Sequence, residues 1–431
     1  MVLVASSVIE GIVRDGLGQQ ISVGKVSTVQ RLWQGYGEIM RVSLKNSPLP
    51  PEDDKHANKA ASSSVIIKYV APPRGVGHAG VGDIGHQRKV RSYEVESAFY
   101  QHFAKQLGSA VRVPRCLFVT NQDQKTGKNE PSSEGQICFV LEDLDAAGFA
   151  GREHYLTADT VRPMISWLAR FHRSFLFDST TQEGADGGDP VTAKMSKKNK
   201  KMRSLLWSCG CYWHLDMRPD ELAQLRRDDP LRMNAATWDA QLKGARWQTL
   251  VHGDAKVENF CFSSLKTRKG KHDKNTRSTT SNDGHGGGEQ QLASDVAAVD
   301  FQYVGFGVGV RDLAYCLSSC LSEREMMKYA DELLDFYFGE FFNFDAGVGE
   351  GVLQFGEKGT EGDRSDVERE WRQLWPVCFA DFERFLAGWC PGGGWARNGY
   401  TLQMTQKAIQ LASENYSLIY VSQGERSRFH A

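Results

Sequence analysis

Apolar and polar positions alternate along the chain in short ordered-looking runs parted by long polar stretches. Residues 41–44 and 65–70 (VIIKYV) read as strands, the second dense in β-branched side chains. Residues 87–107 (QRKVRSYEVESAFYQHFAKQL) predict a helix, because Val95, Phe99 and Phe103 recur at spacing four. A buried strand follows at 137–141 (ICFVL). Helical periodicity returns over 159–177, through Ile165, Leu168, Ala169 and Phe171. Residues 250–251, 259–262 and 296–299 read as short strands beside polar motifs, and the chain from 312 onward is mostly helical and aromatic-rich.

Between these runs lie stretches that cannot bury enough apolar area to offset the entropy of ordering them. Residues 45–64 are rich in Pro, Ser and charge, and 180–203 run from an acidic, Gly-containing piece into KMSKKNKKMR. Residues 266–293 are of low complexity, 120–136 are polar, and 346–366 are Gly-rich. The segments 45–64, 180–203 and 266–293 are expected to be disordered insertions. A β-rich segment with one helix, then a mainly helical segment with a few short strands, predicts an α+β chain in two lobes with a cleft between them. The expected division is 1–143 and 144–431.

Composition narrows the class of function. Lys and Arg (52) nearly balance Asp and Glu (53), so no bulk charge points to nucleic acid or an anionic membrane. The basic run at 194–203 reads as a solvated loop. Nine scattered cysteines form neither a disulfide framework nor a metal quartet, and Cys316 and Cys320 share one helix face. The apolar start MVLVASSVIEGIV lacks a basic leader and carries Glu10, and no apolar run approaches the ~18 residues of a membrane span. A cytoplasmic protein is expected.

Two motifs carry chemistry. In HGDAKVEN, between two strand-like pieces, Asp254 is followed five residues later by Asn259. A carboxylate near a γ-phosphate can accept an acceptor hydroxyl's proton, and an amide oxygen from the same loop can ligate magnesium. Asp300, in DFQ at the end of the 296–299 strand, suits a hard cation bridging phosphates. A third signal, His285 in HGGG, mimics an esterase oxyanion motif, but no nucleophile elbow accompanies it.

HGDxxxxN followed by DFQ resembles the aminoglycoside phosphotransferase and choline kinase superfamily, and more narrowly the ecdysteroid-kinase-like (CHK kinase-like) phosphotransferases. The segments LWQGYGEIMRV, RSYEVESAFY, LEDLDAAGF, YWHL, TLVHGDAKVENFCF and VAAVDFQYVGFGVGVRDLAY carry that likeness, from about 30 to 320. The resemblance implies a protein-kinase-like two-lobed fold, with ATP and Mg2+ as cofactors. Lys68 in VIIKYV would hold the α/β-phosphates, and its partner would be a glutamate on the next helix. Glu94 and Glu96 both qualify, and Glu96 with Tyr100 matches the family's Glu-x3-Tyr pattern. Gly35 and Gly37 would cover the phosphates. Backbone groups around Glu142 and Leu144, where the lobes join, would bind the adenine edge.

Lys256, two residues after Asp254, resembles the lysine that protein kinases aim at the transferring phosphate. Asp312 is expected to brace the catalytic loop through backbone N–H groups, and His172 to pack beneath it. The function expected is phosphoryl transfer from ATP to a hydroxyl of a small, partly apolar molecule, with Asp254 as base and Asn259 and Asp300 holding magnesium. The alternatives are a catalytically weak nucleotide-binding scaffold, or a protein kinase. Against the latter, DFQ stands for DFG, HGD for HRD, and no activation segment follows. Tyr212 to Leu215 (YWHL) and the aromatics near 371–389 could wall the acceptor pocket, although Trp213 could equally be core.

Overall fold

A computed structural model describes residues 4–46, 64–72, 84–120, 136–182, 201–263, 295–344, 361–392 and 398–428. The expected insertion 266–293, and most of 45–64 and 180–203, lie outside the described residues.

The first part of the chain builds one antiparallel sheet. Its strands are β1 (Ser22–Arg31), β2 (Gly37–Lys45), β3 (Ser64–Val70), β4 (Cys116–Val119) and β5 (Ile137–Glu142), in the order β1-β2-β3-β5-β4. β2 alternates strictly: Glu38, Met40, Val42 and Leu44 are buried while their neighbours are half-exposed. Met40, Val42, Val65, Ile67 and Val140 pack with Ile9 and Val13 of an N-terminal helix, α1 (Ser6–Leu17). The period of two therefore gives one sheet face to α1 and the other to helix α2 (Ile84–Ala98). Lys68, on the α2 face, pairs in register with Phe139 of β5 and Ile39 of β2.

α2 does not run on as the single α-helix expected over 87–107. It passes into a π-helical turn at Phe99–Phe103 and a 3-10 turn at Ala104–Gln106. The wider turn sets Phe99, Tyr100 and Phe103 all into the core. α1, β1 and β4 have no counterpart in the sequence expectation. β1 is an edge strand whose side chains stay largely exposed, so it lacks the apolar alternation that reveals a strand.

The second part is mainly helical. α3 (Arg162–Ser174) is shorter than the periodic stretch 159–177, because Phe177 turns into strand β6 (Phe177–Asp178). α4 (Pro219–Gln224) and α5 (Pro230–Lys243) lead to β7 (Trp247–Val251). β8 (Phe260–Phe262) pairs with β9 (Val296–Ala298), and β10 (Gly305–Gly307) pairs with β7. Helices α6 (Gly309–Cys320), α7 (Glu323–Asn343), α8 (Glu361–Trp389) and α9 (Gly399–Arg428) complete the chain.

Two insertions are shorter than expected. Ser179–Gln182 form a 3-10 turn and residues 201–203 are helical, with the Arg203 guanidinium 4.3 Å from the Phe177 ring. Residues 361–366 already belong to α8. The chain thus has the α+β, protein-kinase-like architecture: a small sheet-rich lobe, then a larger helical one. One apolar core spans both, with Tyr93, Phe99 and Phe139 of the first meeting Trp167, Phe171 and Phe301 of the second.

Candidate active site

Both acidic motifs sit on short loops at strand ends. β7 ends at Val251, and Gly253 follows with φ 77°, a left-handed conformation. A Cβ there would stand 2.1 Å from the Tyr303 carbonyl oxygen, so only glycine lets the two loops approach this closely. Asp312 of α6 holds the turn. Its Oδ2 accepts the His252 N–H at 2.5 Å and its Oδ1 the Gly253 N–H at 3.0 Å. His172, fully buried, lies beneath with Nε2 3.2 Å from Asp312 and Nδ1 2.8 Å from the Tyr337 hydroxyl.

This brace presents Asp254, which is buried. Its Oδ2 accepts from Asn259 Nδ2 at 3.1 Å and lies 3.4 Å from Lys256 Nζ, while Oδ1 is buried with no hydrogen-bond partner. Burial pushes the Asp254 carboxyl up to about 6. Lys256 and Asn259 oppose that rise and Asp300 adds to it. Asn259 also donates to the Asp254 carbonyl at 2.7 Å, which closes the loop on itself and commits its NH2 group.

Asp300 follows β9 with φ 68°, a left-handed conformation that aspartate tolerates better than most residues. Phe301 beside it is fully buried, stacked 4.0 Å from Phe99 and 4.8 Å from the His252 ring, and so anchors the loop in the interlobe core. Lys68 Nζ reaches Glu96 Oε2 at 2.7 Å and Asp300 Oδ1 at 3.0 Å. Burial works against the Lys68 charge, and the carboxylates of Asp300 and Glu96 outweigh it. Burial also raises Asp300, but Lys68, with Lys89 and Lys256, holds it down at about 2. Glu96 is pushed up to about 7 by burial, against the pull of Lys68.

Of the two candidate glutamates, the structure puts Glu96 on Lys68 and Glu94 on Arg91, at 3.2 Å and half-exposed. Gly35 (φ 77°) and Gly37 (φ 134°) form the turn between β1 and β2. The Tyr36 hydroxyl pins that turn to α2 at 2.6 Å from His86 Nδ1. Glu142 closes β5, with its carboxylate taken by Arg112 at 2.7 Å and by the Arg115 N–H at 3.0 Å. Its own N–H goes to the Arg115 carbonyl. The Leu144 carbonyl accepts from Phe149, whereas its N–H has no acceptor among the described residues. At these two positions, then, part of the backbone expected to read a ligand is already committed.

In the sequence, Gln302 stands out only as a departure from DFG. In the structure it is buried and joins three groups. Its Nε2 donates to Asp300 Oδ1 at 2.6 Å, and its Oε1 accepts from Lys89 Nζ at 3.0 Å and Ser92 Oγ at 3.2 Å. No spacing rule marks Lys89 or Ser92, because their partner lies more than 200 residues away and only folding brings them together. Trp213 is core. It is buried against Tyr315, Phe382 and Phe385, which removes it from the acceptor wall.

The arrangement suits magnesium bound in part by a ligand's own oxygens. Among the described residues no group of three or more His, Cys, Asp or Glu could hold a metal ion. Asp300 Oδ2 has no hydrogen bond among the described residues, and Asp254 Oδ1 is orphaned. Magnesium in kinases takes one or two carboxylates and completes its shell with phosphates and water.

The chain resembles the Ecdysteroid kinase-like family, whose model matches residues 287–346. That segment carries Asp300, Gln302 and Asp312 and leaves Lys68, Glu96, Asp254 and Asn259 outside it. Among curated proteins nothing matches. Solved structures similar to this chain include a microcompartment-associated aminopropanol kinase, 10% identical over 96% of this chain and 98% of that one, with TM-score 0.40. An amicoumacin kinase is 12% identical over 94% and 92%, with TM-score 0.36. An ethanolamine kinase from Plasmodium vivax is 9% identical over 90% and 82%, with TM-score 0.37. Overlaps this loose carry no argument about what the chain binds.

Proposed function

We propose that the protein transfers the γ-phosphoryl group of ATP to the hydroxyl of a small, partly apolar molecule. The observation that carries the reading is Lys68 Nζ, 2.7 Å from Glu96 and 3.0 Å from Asp300, facing a loop in which Asp254 is buried with one oxygen unpartnered. A buried lysine clamped by two carboxylates is a fixed positive charge for phosphate oxygens, and an orphaned carboxylate oxygen is an acceptor awaiting a proton donor.

In this reading the acceptor hydroxyl donates its hydrogen bond to Asp254. Its oxygen then bonds to the γ-phosphorus, the bond to the ADP oxygen breaks, and the hydroxyl proton passes to Asp254. Lys68 holds the α/β-phosphates, Lys256 neutralises charge on the transferring group, and Asn259 and Asp300 would hold magnesium. When bound, that ion supplies charge neutralisation between the phosphates. Gly35 and Gly37 form a roof over the nucleotide, and the Leu144 N–H with the Glu142 carbonyl reads the adenine edge. Residues 1–143 serve as the nucleotide lobe and 144–431 as the catalytic and acceptor lobe. Catalysis is then mostly positioning and charge stabilisation.

No helix among the described residues is long and apolar enough to cross a membrane. With nine free cysteines, most of them buried, we assign the protein to a reducing compartment, the cytoplasm. The test is ATP turnover against a mixed hydroxyl library, in parallel with Asp254→Asn. Turnover that survives the substitution unchanged removes Asp254 as the base. Radiolabel recovered in polypeptides in place of small metabolites would replace this reading by the protein-kinase one.

A further inference from the structure

Granting the transfer proposed above, the face of the cleft beyond Asp254 receives the acceptor, and its side chains specify a chemical class. The Tyr212 N–H donates to the Gly253 carbonyl at 3.2 Å, which sets this tyrosine beside the catalytic loop. Its ring lies 5.7 Å from Tyr303 and its hydroxyl 3.2 Å from that of Tyr315. Trp207 stacks on Tyr303 at 6.5 Å and donates its indole N–H to the Gln302 carbonyl at 2.8 Å. Arg218 packs on this tyrosine, with Nε 2.7 Å from the Tyr212 carbonyl and its guanidinium 5.6 Å from the Tyr212 ring. Glu221 balances its charge at 3.1 Å.

Arg88 is different. It leaves α2, crosses to the large lobe and donates Nη1 to the Met217 carbonyl at 2.7 Å, next to Arg218. It is half-buried, and among the described residues no carboxylate pairs with it. Burial and then the neighbouring Arg218 both lower its pKa, so its charge is held there at a cost. The acids within longer reach do not cancel it: Glu221 is engaged by Arg218, and Asp220 is exposed. Burial and then Asp254 raise the pKa of the Tyr303 hydroxyl, and Arg218 and Arg88 lower it, so this one ring senses all three charges. Lys89, the next residue, also has no carboxylate partner among the described residues and rests on the Gln302 amide oxygen at 3.0 Å.

We propose that the acceptor is an anionic hydroxyl compound, with its apolar body on Tyr212 and Tyr303, its hydroxyl at Asp254, and a carboxylate, sulfate or phosphate ester on Arg88. A guanidinium with no carboxylate partner among the described residues favours a ligand that brings one, and its planar fork suits a two-oxygen anion. A cationic acceptor, by contrast, would add a like charge beside Arg88.

The experiment incubates wild type, Arg88→Ala and Arg88→Lys with γ-18O-labelled ATP, magnesium and a protein-free metabolite extract. Mass spectrometry then identifies the compounds that gain a labelled phosphate. The expected result is that the parent compounds are acids, and that Arg88→Ala lowers their labelling at least about tenfold while Arg88→Lys recovers part of it. Nucleotide binding, read as the melting-temperature shift with a non-hydrolysable ATP analogue, should be the same in all three. Neutral or amine-bearing parents from wild type overturn the proposal even if Arg88→Ala fails to fold, and so does equal labelling by wild type and Arg88→Ala. No labelled compound from wild type overturns the kinase reading itself, and this class with it. Labelled neutral or cationic parents leave the kinase reading standing and remove only the anionic class.

Discussion

At the scale of the residue, the candidate site holds two unequal carboxylates. Asp300 is kept ionised by Lys68, whereas Asp254 is lifted by burial to about 6. In the proposed role of base, Asp254 must lose its proton before it can take another. Turnover should therefore rise with pH through about 6 and level off above it, with Glu96, near 7, titrating in the same direction. A pH–rate profile flat from 5 to 8 would contradict this assignment. Asp254→Asn should cut turnover by roughly 10²–10⁴.

The same substitution should raise stability. The folded pKa of Asp254 exceeds its ordinary value of 3.8, so the folded state binds the proton more tightly. Stability contributed by that proton is full below about 4 and is lost as pH rises through about 6. Asp254→Asn should then be more stable than wild type above pH 6, by up to about 3 kcal/mol in a denaturant titration, with the gain vanishing below pH 4. Gln302→Leu tests the junction between Asp300, Lys89 and Ser92. It should cost about 1–3 kcal/mol by leaving buried partners unsatisfied, and weaken binding of magnesium and ATP more than a neutral surface change does. Unchanged melting and unchanged nucleotide titration would mean that the junction is incidental.

At the scale of the element, α2 decides what the small lobe offers the cleft. Its inward face carries Glu96 on Lys68, and its other side carries Arg88 and Arg91 onto the large lobe, where Arg91 donates to the Ser204 carbonyl at 2.8 Å. Two glutamates two residues apart on one helix point about 200° apart, so only one can meet the strand lysine. Glu96→Gln should lower turnover about 10²-fold by freeing Lys68 from its fixed position, while Glu94→Gln should leave it near wild type. Equal effects in a steady-state comparison would show that α2 is rotated from the orientation described.

At the scale of the whole molecule, the large lobe is tied together beneath the site by charge as well as apolar packing. Asp381 of α8 accepts from Arg311 of α6 at 2.5 Å and from Arg384 at 2.7 Å, and Arg384 also donates to the Trp213 carbonyl at 2.7 Å. Asp381→Ala would strand two buried guanidinium groups and should cost about 3–5 kcal/mol in a denaturant titration. Trp213→Ala should cost about 3–5 kcal/mol and reduce nucleotide and acceptor use together, as loss of a core residue does. A selective loss of acceptor use would return Trp213 to the pocket wall.

The sequence alone determined the local parts of this protein. β3 and β5 declare themselves by β-branched and apolar runs, and HGDAKVEN and DFQ by fixed spacings within single loops, since both kinds of signal are written in residues a few positions apart. The α+β order followed from the same local patterns. Edge strand β1 leaves no apolar period because its side chains stay largely in solvent, and the period over 87–107 looks like one continuous helix because a π turn keeps nearly the same apolar spacing. Only the tertiary structure decided between Glu94 and Glu96, since both lie on the same helix and the answer is which one faces β3. It also made Gln302 a junction, gave Asp254 its raised pKa through burial, and set Arg88 on the Met217 carbonyl beside Arg218 with no carboxylate partner among the described residues. Each of these depends on groups brought together from distant segments, and no local period or spacing in a chain records which distant residues will meet.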